Sequence, residues 1–301
     1  MYTMEELHIP VLWQEVLEVL QPKSGESYLD LTAGYAGHAG KILAVTRNYK
    51  DSVLVDRDEF AIDYLTEKYQ NGESASLSIV HDDFYNAALH LAECGKRFDM
   101  ILADFGVSSP QLDNPERGFS FREAGPLDMR MDQTSEISAE TVVNHWSLKD
   151  LEEIFVRYGE ESEGLAHRHA LEIVKGRPFH NTKELADAIG HKHFVKGHAT
   201  KHPATQVFQA IRIAVNDELG IIERTLPLIP KLLNPGGRAA IITFHSLEDR
   251  LVKQYFKDAS SLGMESELAL INKSPITAEN MELVINPRSR SAKLRAVKKL
   301  N

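Results

Sequence analysis

The sequence contains only one cysteine, Cys94, and therefore cannot form an intramolecular disulfide. It has no apolar run near the roughly 18 residues that a membrane span requires, the best being the short stretch 239–243. The N-terminus has neither the basic segment nor the apolar segment of a secretion signal. These absences exclude a disulfide-stapled secreted protein and predict a cytoplasmic protein that does not insert into membranes.

Basic residues are also scarce relative to acidic ones. The chain has 34 Lys and Arg against 44 Asp and Glu, a formal net charge of −10. This balance argues against a protein coated in non-specific nucleic-acid contacts. The last 16 residues are the exception, because they hold six Lys or Arg and no Asp or Glu. A local RNA-binding patch and a solvated, frayed tail both fit this segment.

The first third of the chain alternates short apolar runs with helix-length segments. The predicted strands are 28–32, 52–58, 76–80 and 98–104, and the four repeats of strand and helix indicate a parallel, doubly wound α/β sheet. A further buried strand is predicted at 238–244, after a long amphipathic helix from 205 to 233.

The segment between these two parts of the sheet has a different character. It starts with a stretch rich in Pro, Gly, Ser and Asp and continues as helices, with a helix start at Thr182. The sequence therefore predicts a discontinuous α/β domain of residues 1–108 and 206–301, interrupted by a helical domain of residues 109–205.

Ligands of parallel sheets bind beyond the carboxyl ends of the strands, and two such ends here suit a nucleoside. The loop with Gly34, Gly37 and Gly40 permits close backbone approach, although alone it fits a plain tight turn as well. Asp56 follows Gly34 by 22 residues, the spacing at which a carboxylate accepts hydrogen bonds from a ribose diol. Because the loop lacks the pyrophosphate fingerprint, the pair favours S-adenosylmethionine over NAD.

Asp104 ends the fourth predicted strand and precedes a long, aromatic loop. Loops longer than about a dozen residues in compact domains are usually functional or disordered, and this one is too aromatic for disorder. The end of the fourth strand is therefore a third candidate for a functional site.

Eight runs of residues carry a specific resemblance. They are 106–113 (GVSSPQLD), 117–121 (RGFSF), 126–132 (PLDMRMD), 158–161 (YGEE), 202–205 (HPAT), 208–216 (FQAIRIAVN), 244–250 (FHSLEDR) and 286–295 (NPRSRSAKLR). Together they resemble the MraW/RsmH family of S-adenosylmethionine-dependent methyltransferases of small-subunit ribosomal RNA. The resemblance implies a class I methyltransferase (Rossmann-like) sheet with an inserted helical domain. It also implies methylation of the exocyclic N4 of a decoding-centre cytidine in 16S ribosomal RNA.

The resemblance and the residue patterns together define the expected site. The family's cofactor contacts fall on seven residues, which are Ala36, Gly37, His38, Asp56, Phe84, Asp104 and Gln111. Asp104 is also the expected catalytic residue, because the methylation that the resemblance implies needs a carboxylate that accepts a hydrogen bond from the amine. For the unstacked base, Phe105, Phe119 and Phe121 supply candidate faces. The basic segment adds four expected RNA contacts, which are Arg288, Arg290, Lys293 and Arg295. The expected partner is 16S ribosomal RNA within the small subunit, and the oligomeric state, including a homodimer, stays open.

The glycine loop departs from the family pattern at two positions. Ala36 and Ala39 stand where the family usually has Gly and Ser. A methyl group at Ala36 is harmless if its φ is negative and costs about 1 kcal/mol or more if its φ is positive.

Two other classes of function are open to the sequence. A metal enzyme is suggested by the histidine-rich segment with His191, His193, His198 and His202, although the spacing gives no helical face and no obvious carboxylate partner. For these reasons no metal is expected. A catalytically weakened RNA-binding or ribosome-assembly factor is suggested by the altered glycine loop, but the presence of Asp104 favours an enzyme.

Overall fold

The computed structural model describes residues 9–107, 109–190, 202–261 and 263–300. The chain divides into two compact units, one of residues 1–106 and 219–301 and one of residues 107–218. The sequence placed the second boundary at 205/206, whereas the units change at 218/219. The histidines at 191, 193 and 198 lie outside the described residues.

The first unit contains a seven-stranded sheet with the order β3-β2-β1-β4-β5-β7-β6. Its strands are β1 (Tyr28–Asp30), β2 (Val53–Asp56), β3 (Ser78–His81), β4 (Phe98–Asp104), β5 (Leu233–Thr243), β6 (Leu268–Leu270) and β7 (Lys293–Lys299). Strands β1 to β5 pair in parallel, and β7 is antiparallel to both of its neighbours. The sheet is therefore that of a class I methyltransferase, as the sequence predicted.

Helices cover both faces of the sheet. In the first unit they are α1 (Trp13–Leu20), α2 (Gly37–Thr46), α3 (Glu59–Tyr69), α4 (Phe84–Glu93), α11 (Glu218–Thr225, beginning at the boundary), α12 (Ile229–Leu232), α13 (Ser246–Ala259) and α14 (Asn280–Ile285). Successive β4 side chains alternate between two cores: Met100 and Leu102 enter one, Ile101 and Ala103 the other. Burial on both faces explains why the strand is continuously apolar.

The basic C-terminal segment is not a frayed tail. It forms β7, which pairs with β5 from Thr243↔Lys293 to Arg238↔Lys298. Leu294 and Ala296 are fully buried in one core and Val297 in the other. Packing of these apolar side chains explains the order of a segment whose charge suggested solvation.

The second unit is helical. Its helices are α5 (Ser109–Asp113), α6 (Ala139–His145), α7 (Leu148–Arg157), α8 (Glu163–Gly176), α9 (Thr182–Gly190) and α10 (Ala204–Asn216). The single helix predicted from 205 to 233 is wrong, because Asp217 adopts φ +47° and ends α10. Val207 and Ile211 of α10 pack in the core of this second unit, which places the boundary after α10.

None of the helices among the described residues has the length and apolar content needed to cross a membrane.

Candidate active site

The candidate site lies at the carboxyl edge of the sheet in the first unit. The strand order reverses between β1 and β4, and ligands of open α/β sheets bind at such a switch point. The loop from β1 to α2 and the ends of β2 and β4 meet at this edge. These segments bring together Asp30, Asp56 and Asp104, the last residues of β1, β2 and β4.

Backbone conformation and close packing restrict which residues the glycine loop can hold. Gly34 has φ +50° and Ala36 has φ +60°, so Ala36 occupies the left-handed region in which a side chain is strained. A Cβ atom at Gly37 would lie 2.7 Å from Cγ of Pro10, which explains why glycine is required there. The first turn of α2 follows directly, with its backbone N–H groups at the site.

Asp56 organises this loop from the end of β2. Its Oδ2 accepts a hydrogen bond from the backbone N–H of Gly34 at 2.8 Å, and its Oδ1 accepts one from the N–H of Asp58 at 2.9 Å. Desolvation raises the pKa of Asp56, and the two backbone donors oppose that shift. The carboxylate keeps further lone pairs, so it can also accept hydrogen bonds from a ribose diol.

A buried hydrogen-bonded pair at the site, Tyr28 and Asp30, was not identified from the sequence. Asp30 is 1% exposed, and its Oδ2 accepts a 2.6 Å hydrogen bond from the hydroxyl of Tyr28. Its Oδ1 accepts a 3.1 Å hydrogen bond from the N–H of Thr32. Burial raises the pKa of Asp30 to about 7. The signal available in the sequence was an Asp inside an otherwise apolar strand, where a charge is costly unless it has a function.

Asp104 is next to this pair. Its backbone N–H donates a 2.6 Å hydrogen bond to Oγ1 of Thr32, the residue whose N–H binds Asp30. The Asp104 side chain is 24% exposed, but its Oδ1 atom is buried and has no hydrogen-bond partner among the described residues. Burial, together with the charges of Asp30 and Glu248, raises the pKa of Asp104 well above its usual range.

The aromatic residues that the sequence proposed for the site differ in their availability. Phe84 is half-buried at the start of α4, and its ring centroid lies 5.0 Å from that of Phe105. Phe105 is 2% exposed and belongs to the core, so only Phe84 of this pair offers an open face. Phe119 and Phe121 lie in the second unit, where Phe121 packs on Phe208 with a centroid distance of 4.8 Å.

The acidic groups at the site suit a cationic cofactor. Three carboxyl groups converge at the site, and each has a raised pKa because burial disfavours its charged form. The buried Oδ1 atom of Asp104 has no hydrogen-bond partner in the part of the chain that the structure describes. S-adenosylmethionine carries a sulfonium and an amino group, whose positive charges suit these carboxyl groups, whereas a pyrophosphate would be repelled.

The remaining expected residues lie elsewhere in the chain. Gln111 is buried within α5 of the second unit. Arg295 is 7% exposed, and its guanidinium binds both oxygens of Asp249 at 2.7 and 3.2 Å. Lys293 also reaches Asp249, at 3.2 Å. Arg288 and Arg290 are exposed. Phosphate contacts of all four residues stay a prediction.

Comparison with known proteins gives a consistent result. The sequence model described as the MraW methylase family matches residues 5–300. A protein of Synechocystis sp. named ribosomal RNA small subunit methyltransferase H is 44% identical over 300 residues, covering 97% of this chain and 93% of the relative. A protein of the same name from Trichormus variabilis is 47% identical over 294 residues, covering 97% and 92%. Among solved structures, an rRNA methylase from Streptococcus thermophilus is 10% identical, covers 96% of this chain and 94% of its own, and has a TM-score of 0.42.

Proposed function

The chain belongs to the MraW methylase family, and from this premise we propose that it methylates the exocyclic N4 of a decoding-centre cytidine in 16S ribosomal RNA. S-adenosylmethionine is the methyl donor. The substrate is the RNA within the small ribosomal subunit, in the cytoplasm. The observation that carries the proposal is the buried Oδ1 atom of Asp104 at the switch point of the sheet, which has no hydrogen-bond partner among the described residues.

The chemistry of the acceptor explains why an aspartate is needed there. The N4 amine of cytosine is a poor nucleophile, because its lone pair is delocalised into the ring. A carboxylate that accepts one N–H localises that pair and favours the tetrahedral nitrogen that attack requires. When bound, S-adenosylmethionine provides an electrophilic methyl group and a neutral thioether as the leaving group.

Each residue of the site has a separate task in this mechanism. Asp56 holds the glycine loop and binds the ribose, and Phe84 offers its open face to the adenine. Asp104 orients the amine and accepts its hydrogen bond. Aligning nitrogen, methyl carbon and sulfur is the remaining work, and such positioning contributes as much as about 7 to 11 kcal/mol in the best cases.

The decisive experiment is methyl transfer followed by nucleoside analysis. The purified protein is incubated with labelled S-adenosylmethionine and either free 16S RNA or assembled small subunits, and the product is digested to nucleosides. The proposal expects the label in N4-methylcytidine, with the two substrates distinguishing free RNA from the subunit. Label in another nucleoside refutes the N4 acceptor, and binding of RNA without any transfer supports the alternative of an assembly factor.

A further inference from the structure

Asp104 accepts a hydrogen bond from an amine most strongly as a carboxylate, yet its surroundings oppose its ionisation. Two further acidic groups face it, Asp30 from the end of β1 and Glu248 from α13. Both are about 1% exposed, so water screens their charges poorly. A site that must keep Asp104 ionised beside these two groups requires a nearby positive charge.

His38 is in position to provide that charge. It lies in the first turn of α2, and its Nε2 atom is 3.8 Å from Oδ2 of Asp104. The His38 side chain is only 9% exposed. A separation of 3.8 Å is too long for a hydrogen bond, but it is a normal ion-pair distance when the imidazole is protonated.

We propose that His38, in its protonated form, is a positioning residue that holds Asp104 as a carboxylate for the methyl-transfer step. His38 acts through Asp104 and needs no contact with the acceptor base. The inference rests on the proposed function, because Asp104 needs to be ionised only if the methyl acceptor is an amine whose N–H group donates to it. It adds to the cofactor contact that the family resemblance implies for this residue.

The expected size of the effect follows from the distance. An opposite charge within about 4 to 6 Å lowers the pKa of a carboxyl group by roughly 1 to 3 units. Replacing His38 with Gln keeps a side chain of similar reach that has an N–H donor, but it removes the charge. His38→Gln is therefore expected to raise the pKa of Asp104 by about one unit or more, a tenfold or larger loss of ionised Asp104 at pH values below that pKa.

The opposite change is available within the same cluster. Asp30→Asn removes the negative charge that Asp30 carries above its pKa of about 7, so in that pH range it is expected to lower the pKa of Asp104. The double variant His38→Gln/Asp30→Asn removes one charge of each sign and should return the titration towards that of the parent protein. A residue that only fills space cannot produce this pattern of opposite and compensating shifts.

The direct test follows the Asp104 carboxyl group by NMR in the cofactor-free protein labelled with ¹³C-aspartate. The signal is assigned by its loss in Asp104→Asn, and its titration is compared in the parent, His38→Gln, Asp30→Asn and the double variant. Circular dichroism establishes that each variant is folded, and His38→Asn replaces His38→Gln if the latter does not fold. An Asp104 midpoint that is unchanged in a folded His38 variant overturns the proposal.

A second measurement connects the charge to catalysis. Single-turnover methyl transfer at saturating cofactor is measured against pH for the parent and His38→Gln. The acidic limb of the profile is expected to move to higher pH by about one unit, so that the rate on that limb falls about tenfold and is recovered as the pH rises. An equal loss at every pH indicates a purely structural role and overturns the inference. Because the NMR titration needs no RNA, it remains decisive if the N4 acceptor proves wrong.

Discussion

The hydroxyl of Tyr28 donates a 2.6 Å hydrogen bond to Oδ2 of Asp30, and both side chains are buried at the end of β1. One donor from Tyr28 and one from Thr32 do not offset the cost of burying the charge, so the pKa of Asp30 is about 7. At pH values below about 7 the free protein therefore holds a proton beside the proposed cofactor site. Cofactor binding and proton release should be coupled at this pair.

The first prediction is that S-adenosylmethionine binds more tightly as the pH rises from about 5.5 to about 7. Below pH 7 the Asp30 carboxyl group is mostly protonated in the free protein, and a cationic ligand favours its ionised form. Binding must then release a proton, and its affinity falls as the pH falls, by up to about tenfold per unit. Calorimetry in buffers of different ionisation enthalpy measures both quantities.

S-adenosylhomocysteine is the matched control for this prediction. It has the same amino-acid end and the same adenosine, but it lacks the sulfonium charge, so its affinity should depend less on pH. Asp30→Asn should also flatten the dependence for S-adenosylmethionine. Equal slopes for the two ligands in the parent protein would contradict the coupling.

The second prediction is that Ala36→Gly stabilises the protein. Ala36 has φ +60°, a conformation in which the Cβ atom of an L-residue costs about 1 to 2 kcal/mol. Glycine removes this strain but is more flexible in the unfolded chain, so the expected net gain is about 1 kcal/mol in the free energy of unfolding. Thermal or denaturant unfolding measures this gain.

Ala39 provides the control for this change within the same loop and helix. It is fully buried inside α2, so Ala39→Gly should destabilise the protein, by about 1 kcal/mol. If both glycine variants are destabilised equally, the left-handed conformation at Ala36 is not the source of strain.

The third prediction is that Asp56→Ala weakens S-adenosylmethionine binding by about tenfold or more. The change removes a charge-assisted hydrogen bond to the ribose, which is worth roughly 1.5 to 3 kcal/mol. It also releases the N–H of Gly34, so the loop itself loses an anchor. Calorimetry on the folded variant tests this, and an unchanged affinity would remove Asp56 from the cofactor site.

Sequence patterns predicted strands β1 to β5 but not β6 and β7. The central strands were recognisable because β-strands buried on both faces are continuously apolar. Strand β4 runs from Phe98 to Asp104 as predicted, so Asp104 ends the strand as the sequence indicated. The break at Asp217 could not be predicted, since nothing in the apolar periodicity of 205–233 marks a left-handed residue. For the same reason, α10 was predicted to belong to the α/β domain, whereas it lies in the helical unit.

The sequence pointed to the carboxylates at the strand ends as candidate site residues, but it did not point to the buried Tyr28–Asp30 pair. Asp56 and Asp104 stand at strand ends, where a carboxylate is conspicuous. The Tyr28–Asp30 pair lies inside a strand, and its role depends on a contact that only folding creates. Arg295 shows the reverse case, because its charge suggested RNA whereas the fold turns it towards Asp249.

The fourth prediction concerns RNA binding by Arg288 and Arg290, which flank the buried Ser289. If each arginine contacts one phosphate of single-stranded RNA, replacing both with Ala should reduce the slope of log affinity against log salt by about 1.4. Filter binding or fluorescence anisotropy with 16S fragments over a range of salt concentrations measures this slope.

A control of equal charge is available on α13, where Lys253 and Lys257 are exposed. The double alanine variant at these positions changes the net charge by the same amount. Its salt slope should stay close to that of the parent if the contacts are local to 288–290. Equal slopes in all three proteins would show that the basic segment does not contact phosphate.

The last prediction separates two roles of Asp104, binding the cofactor and orienting the amine. Asp104→Asn keeps the backbone N–H that binds Thr32 and the shape of the side chain, but it removes the charge and half of the acceptor capacity. If Asp104 orients the amine, the single-turnover rate at saturating cofactor should fall by about 10² to 10⁴, and cofactor affinity should fall far less. If Asp104 only binds the cofactor, affinity is lost and the saturated rate is nearly intact. Measuring both quantities in this one variant decides between the roles, and a rate within a few-fold of the parent would exclude Asp104 from the chemical step.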